Sequence, residues 1–154
     1  MSLRTQMPAI YWYYGTLIDP LLSLSAVYMV YFHPSLFMDP GFSPSSPHGK
    51  ITPSHEFLMH QIGGPFLAWT FLTLTMLRET KEMKVWTRFQ TGLAFTDGAV
   101  LYAQVRALEA QGRLGLGALR WEEGCNAVIV GVILGIRVGF VAGWGFGKGG
   151  KVKG

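Results

Sequence analysis

Apolar residues fall along this chain in four long runs, separated by connections that are charged or rich in proline and glycine. About twenty apolar residues suffice for a helix to cross a bilayer, and the pattern predicts four such helices, over about residues 9–32, 55–77, 85–108 and 125–146. The third run organises the others. Within it Gln90, Asp97 and Gln104 recur at every seventh position, with Ala94 and Leu101 between them, so the three polar side chains share one helix face. A carboxyl group halfway along an apolar rod is costly in hydrocarbon, and this stripe is expected to turn toward other helices.

The remaining runs carry their own interruptions. The first opens on Tyr11, Trp12, Tyr13 and Tyr14, as at an interfacial aromatic belt, and holds Asp19-Pro20 at its middle; Pro20 cannot donate a backbone hydrogen bond and should free a carbonyl about one turn earlier. Residues 33–54 contain Pro34, Pro40, Pro44, Pro47 and Pro53 and read as a loop without an element of its own, placed to cover the bundle as a lid. Thr52 suits an N-cap, with Pro53 in the first turn of the next helix. That helix carries Glu56 and His60 four residues apart, on a face shared with Gly63 and Gly64. In the last run Gly131, Gly135, Gly139 and Gly143 repeat at every fourth position and predict a smooth ridge for close helix approach, with Arg137 at its centre and Asn126 three turns earlier at nearly the same angle.

Composition turns the pattern into a class. Of 154 residues 49% are hydrophobic and 14% charged, against about 25% charged in soluble domains, so the expected fold is all-α, one four-transmembrane-helix bundle over residues 1–154. The N-terminal MSLRTQMP has no signal-cleavage pattern, and the first run is expected to stay attached as an anchor. Eight Lys and Arg (Arg4, Arg78, Lys81, Lys84, Arg88, Lys148, Lys151, Lys153) fall on the side of the termini and four (Lys50, Arg106, Arg113, Arg120) on the other, which predicts cytosolic termini, in the endoplasmic reticulum membrane. The net charge of +4 is scattered, without a basic stripe interleaved with aromatics, so no nucleic-acid partner is expected. Cys125 stands alone, which excludes an internal disulfide. His55, Glu56 and His60 lack the HExxH order, and there is no phosphate-cradling loop, nucleophile elbow or dinucleotide fingerprint; neither metal nor cofactor is expected.

The chemistry lies in the buried charges. Asp19, Asp97 and Arg137 should all come near mid-membrane, where an isolated charge costs about 3 kcal/mol or more and mutual pairing is the natural outcome. Two readings stand. The pair can lock helices in register, or, since one guanidinium cannot neutralise two acids, one carboxyl can hold a proton while the other is ionised, giving an acid and a base together. Gln61, Tyr102, Gln104, Asn126 and Trp121 are candidate holders of substrate or water, and Glu56 with His60 read first as a solvated helix end and otherwise as the mouth of the site or a proton relay.

The sequence PAIYWYY followed by Asp19-Pro20, then HQIGGPFLAW, FTDGAVLYAQVRALE and Arg120-Trp121, resembles a family of small fungal four-helix membrane proteins, some of which accompany polyketide or terpenoid biosynthetic enzymes. The matching positions are Asp19, Pro20, Gln61, Asp97, Tyr102 and Trp121. Many relatives have Glu in place of Asp19 and a histidine shortly after the aspartate, where this chain has Gly98-Ala99, so no histidine partner for Asp97 is implied. The resemblance implies a lipophilic natural product as substrate, within the lipid bilayer, and either a homo-oligomer or association with other membrane biosynthetic enzymes. Two acids around one arginine are similar in site chemistry to limonene-type epoxide hydrolases on a different fold, and the expected activity is cofactor-free opening of an epoxide, by hydrolysis or cyclisation. The alternatives are a double-bond isomerase of the sterol-isomerase kind, with aromatic walls for a carbocation, and a non-catalytic membrane scaffold or accessory subunit.

Overall fold

The computed structural model describes Arg4 and residues 6–146; the basic tail with Lys148, Lys151 and Lys153 lies outside them. The described residues form helices and turns, with no strand. Six helices follow in order: α1, Ala9–Phe32, with one π-helical turn at Tyr14–Ile18; the short α2, Pro34–Met38; α3, Pro53–Leu74; the short α4, Met76–Glu79; α5, Met83–Ala110; and α6, Trp121–Val141. α1 packs along α3, and α5 along α6. The chain runs up and down: Tyr11 meets Trp144 and Arg78 meets Thr16 at one end, while Asp39 meets Arg120 and Gln111 meets Gly41 at the other.

Two helices, α1 and α6, are long and apolar enough to cross a membrane by length and composition. The interior is inverted relative to a water-soluble bundle. Asp19, Gln90, Gln104, Glu123 and Arg137 are buried, while Leu21, Phe57, Phe71, Phe95, Val128 and Val132 face outward. The apolar core proper is a small group at the end holding the N-terminus, where Met7, Leu77, Trp86 and Phe140 pack with Tyr11, Trp12 and Phe89. Trp12 stacks on Trp86 with ring centres 5.6 Å apart, and the Trp86 indole N–H donates to the Leu77 carbonyl at 2.9 Å.

The helix ends explain where the boundaries depart from expectation. α5 runs two residues further at each end than the apolar run 85–108. α3 starts at Pro53 because Thr52 caps it, its hydroxyl accepting from the His55 N–H at 3.4 Å, and it breaks at Thr75. α6 starts at Trp121, four residues before the apolar run, because the buried Glu123 carboxylate accepts the Arg120 N–H at 2.8 Å. It stops at Val141, five residues short of the expected end. Gly143 takes φ 76°, the Trp144 N–H returns to the Gly139 carbonyl at 2.9 Å and the Gly143 N–H to that of Phe140 at 3.0 Å, a glycine-terminated helix end.

The same ending corrects the glycine ridge. Gly143 is a terminator, and side chains added at Gly131 or Gly135 would meet nothing within 4 Å. Only Gly139 of the four is closely packed, against Trp144 and the Tyr11 hydroxyl. The close approaches are elsewhere, at Gly15 against the Trp86 ring and at Gly63 against the Tyr31 ring; Gly64 has open space beside it. Nor is the 33–54 segment devoid of structure: α2 and a 3₁₀ turn at Pro47–Gly49 lie within it, because Pro34 and Pro47 occupy first-turn positions, where a proline has no N–H to lose.

Candidate functional site

Pro20 sets the local geometry. It has no N–H for the Thr16 carbonyl one turn before it, and the backbone there widens into the π-helical turn Tyr14–Ile18. The freed Thr16 carbonyl is taken by an Arg78 guanidinium N–H at 2.6 Å. Because an i→i+5 turn brings residues five apart toward one face, Tyr14 and Asp19 meet, the Tyr14 hydroxyl donating to Asp19 Oδ1 at 3.3 Å. Thus the carbonyl that Pro20 was expected to free is free of its helical partner and has a donor from another helix, and the disturbance takes the form of a π-helical turn.

Arg137 is the hub. Its Nη2 donates to Asp19 Oδ1 at 2.6 Å and its Nη1 to Asp19 Oδ2 at 3.3 Å, a bidentate pair, while Nη1 also donates to Gln90 Oε1 at 2.6 Å and Nε to Asp97 Oδ2 at 2.7 Å. The Tyr14 ring lies 5.6 Å from the guanidinium carbon. The three residues expected to meet do meet, although Arg137 is in the last turns of α6 instead of at its centre. The reason is the early helix end at Val141, which the long side chain offsets by reaching back to acids near the middle of α1 and α5. Beside the cluster a shallow crevice is walled by Tyr11, Trp86, Ile136 and Phe140.

What the cluster leaves open is specific. A guanidinium has five N–H groups, and four contacts are made here, one from Nε, two from Nη1 and one from Nη2. The planar fork fixes where the fifth lies. Asp19 takes the edge shared by Nη1 and Nη2, so the remaining Nη2 N–H is on the other edge, the one whose Nε–H serves Asp97. On that edge Asp97 Oδ1 has no hydrogen bond among the described residues and is not sealed off, since no fully buried side-chain oxygen or nitrogen lacks a partner. The second Nη2 N–H and Asp97 Oδ1 are thus both without a hydrogen-bond partner among the described residues.

The polar stripe of α5 faces inward as expected, with Gln90 3% and Gln104 7% exposed, but it serves two clusters. Gln104, seven residues beyond Asp97, donates to the Glu123 carbonyl at 2.8 Å and the Pro40 carbonyl at 3.2 Å and accepts from Asn126 at 3.1 Å. Around them Glu123, fully buried, pairs with Arg113 at 2.8 Å and Arg120 at 2.9 Å, and Arg120 also holds Asp39 at 2.8 Å. Gln104 and Asn126 thus belong to a latch between the 33–52 and 111–120 connections, about 10 Å along the helix from Asp97 at 1.5 Å per residue.

Five other candidates join neither cluster. Tyr102 and Trp121 are 67% and 82% exposed. Tyr102 is five residues from Asp97 in regular α-helix, some 140° round from it, and Trp121 stands sixteen residues before Arg137 on α6. Glu56, His60 and Gln61 are exposed on the first turns of α3; the His60 ring stacks on Tyr31 at 5.1 Å, and its carbonyl accepts the Tyr31 hydroxyl at 3.1 Å. Sequence reasoning left Tyr14 and Gln90 out of the site. The periodic stripe already held Gln90, whereas Tyr14 reaches the acids only through the π-helical turn.

Compared with known proteins, residues 4–148 match the family model described as domain of unknown function DUF7704. No curated protein and no solved structure matches the chain.

Proposed function

The chain belongs to the DUF7704 family, and on that premise we propose that it is a membrane-embedded acid–base enzyme that opens an epoxide on a hydrophobic polyketide or terpenoid, without a cofactor. The observation that carries this reading is that Arg137 binds both acids and still leaves one Nη2 N–H and the Asp97 Oδ1 oxygen without a hydrogen-bond partner among the described residues. An epoxide oxygen bound there accepts a hydrogen bond from Nη2 and a proton from Asp97. Asp19 is the base: a carboxylate has about four lone-pair sites, of which Nη2, Nη1 and Tyr14 take three. Water, or a hydroxyl of the substrate itself, gives its proton to Asp19 as its oxygen attacks the ring carbon and the carbon–oxygen bond breaks. The ring oxygen leaves as a hydroxyl, and passage of the proton from Asp19 back to Asp97 resets the pair.

The membrane setting has four spans in this reading. Beyond α1 and α6, the other two long helices also turn large apolar side chains outward: Phe57, Leu58, Ile62, Leu67 and Phe71 on α3, and Phe95, Val100, Tyr102 and Val105 on α5. Exposed apolar surface of this extent fits lipid better than water. The Lys and Arg asymmetry of the sequence supports an orientation with both termini in the cytosol.

The test is turnover by the purified protein in nanodiscs of neutral lipophilic epoxides, styrene oxide included, followed by incorporation of oxygen from labelled water or by cyclised product. Opening that Asp97→Asn removes is the expected result. A second reading, that the cluster is a structural lock, draws on the fact that, among the described residues, every fully buried side-chain oxygen and nitrogen already has a partner. It prevails if no epoxide is opened and the triple variant Asp19→Leu, Asp97→Leu, Arg137→Met still folds.

A further inference from the structure

Asp97 lies fourteen residues after the first residue of α5 and thirteen before the last, on a helix of 28 residues. At 1.5 Å per residue it is about 20 Å from either end, and in a spanning helix that is the midplane, about 15 Å beneath both headgroup regions. Asp19 is equally central in α1, ten residues from its start and thirteen from its end. In spanning helices both acids of the cluster therefore lie near the midplane, and Arg137 reaches them from the last turns of α6. Beside Asp97 the surface of α5 is apolar: Val100, about 60° round the helix from it, is exposed, and Gly98, the next residue, has nothing within 4 Å of the place where a side chain would begin.

We infer that the substrate is a long-chain amphiphile whose epoxide sits at the apolar end of its chain, with the polar end left at the membrane surface. This rests on the epoxide-opening reading above. A polar group tethered to the surface sets the depth of everything attached to it. A ring one or two bonds from that group cannot reach Asp97 without dragging the group into hydrocarbon, whereas a ring at the far end of a chain arrives at the right depth unaided. Gly98 leaves room for the chain beside the acid. The substrate is thus selected by where along its length the epoxide lies before any side chain recognises its shape.

The experiment compares three probes on the intact protein in phosphatidylcholine vesicles: a phosphatidylcholine with an epoxide at the methyl end of one acyl chain, its isomer with the epoxide next to the ester, and styrene oxide, which partitions freely. The expected result is Asp97-dependent opening of styrene oxide and of the methyl-end epoxide, with the methyl-end isomer favoured at least about tenfold over the ester-proximal one, given the cost of moving a charged headgroup to depth. Opening of styrene oxide with equal rates for the two isomers, with the ester-proximal isomer preferred, or with neither isomer opened overturns this inference and leaves the epoxide-opening reading intact. Failure to open any of the three overturns both.

Discussion

Arg137 holds both acids because a guanidinium is planar and forked, and in the epoxide-opening proposal this is what makes them usable. It engages Asp19 through two nitrogens and Asp97 through a third, a geometry that a compact ammonium cannot reproduce. Arg137→Lys should therefore lose turnover even though the charge is kept. Asp97→Asn and Asp19→Asn preserve shape while removing proton exchange, so each should cost roughly a hundredfold or more in rate, the scale of general acid–base catalysis. Folding of these variants is checked by thermal unfolding in detergent, and near-normal epoxide turnover by both Asn variants would end the catalytic reading. At this scale the sequence was informative wherever cost is independent of geometry: a charge in an apolar run must find a partner, which singled out Asp19, Asp97 and Arg137. Roles that depend on a local change of helix type, such as that of Tyr14, leave no periodic trace. Exposed polar residues such as Tyr102 and Glu56 look the same in a sequence whether or not they reach the site.

The widened turn of α1 and its external donor make a testable unit. Arg78→Met leaves the Thr16 carbonyl without its partner and should cost about 1–3 kcal/mol, the penalty for an unsatisfied buried acceptor. In a Pro20→Ala background the backbone N–H returns, so the same Arg78→Met change should cost much less; equal losses in both backgrounds, measured by thermal unfolding, would show that the two residues are not coupled. The glycines give a second comparison. A side chain at Gly15 would begin 2.7 Å from the ring of Trp86, which is buried and pinned to Leu77, so Gly15→Leu should cost about 1–3 kcal/mol from overpacking. Gly131→Leu and Gly135→Leu should leave detergent stability unchanged within about 0.5 kcal/mol, as surface changes do. Spacing showed that glycines recur on α6, but not that the helix would end before the last of them, because that ending depends on one residue in a left-handed conformation.

For the whole molecule, the helical class and the places of the four long helices were legible from the apolar runs, since their length and polar interruptions dictate them. The pairing was not: the short charged connection 78–84 makes α3 and α5 the expected antiparallel neighbours, but α1 packs along α3 across residues 33–52 and α5 along α6 across 111–120; nor was the latch through Asp39, Arg113, Arg120 and Glu123 foreseen, because charges in connecting segments read as solvated. In a Cys125→Ser background, Thr80→Cys should react with a membrane-impermeant maleimide from the cytosolic face of sealed microsomes, and Ser45→Cys only after the vesicles are opened. Reaction of both from the same face would refute the four-span arrangement.

The pairing of Asp19 with an arginine 118 positions away also has a consequence for biogenesis. In the proposed four-span arrangement the two acids are inserted long before their cation emerges from the ribosome, so each nascent intermediate carries carboxyl groups whose arginine comes only with the last helix. A polypeptide terminated after Gln111 should then be recognised by membrane quality control and degraded rapidly, and the same truncation carrying Asp19→Leu and Asp97→Leu should persist longer in a pulse–chase. The arginine would serve in this way as a chemical signature of completed translation.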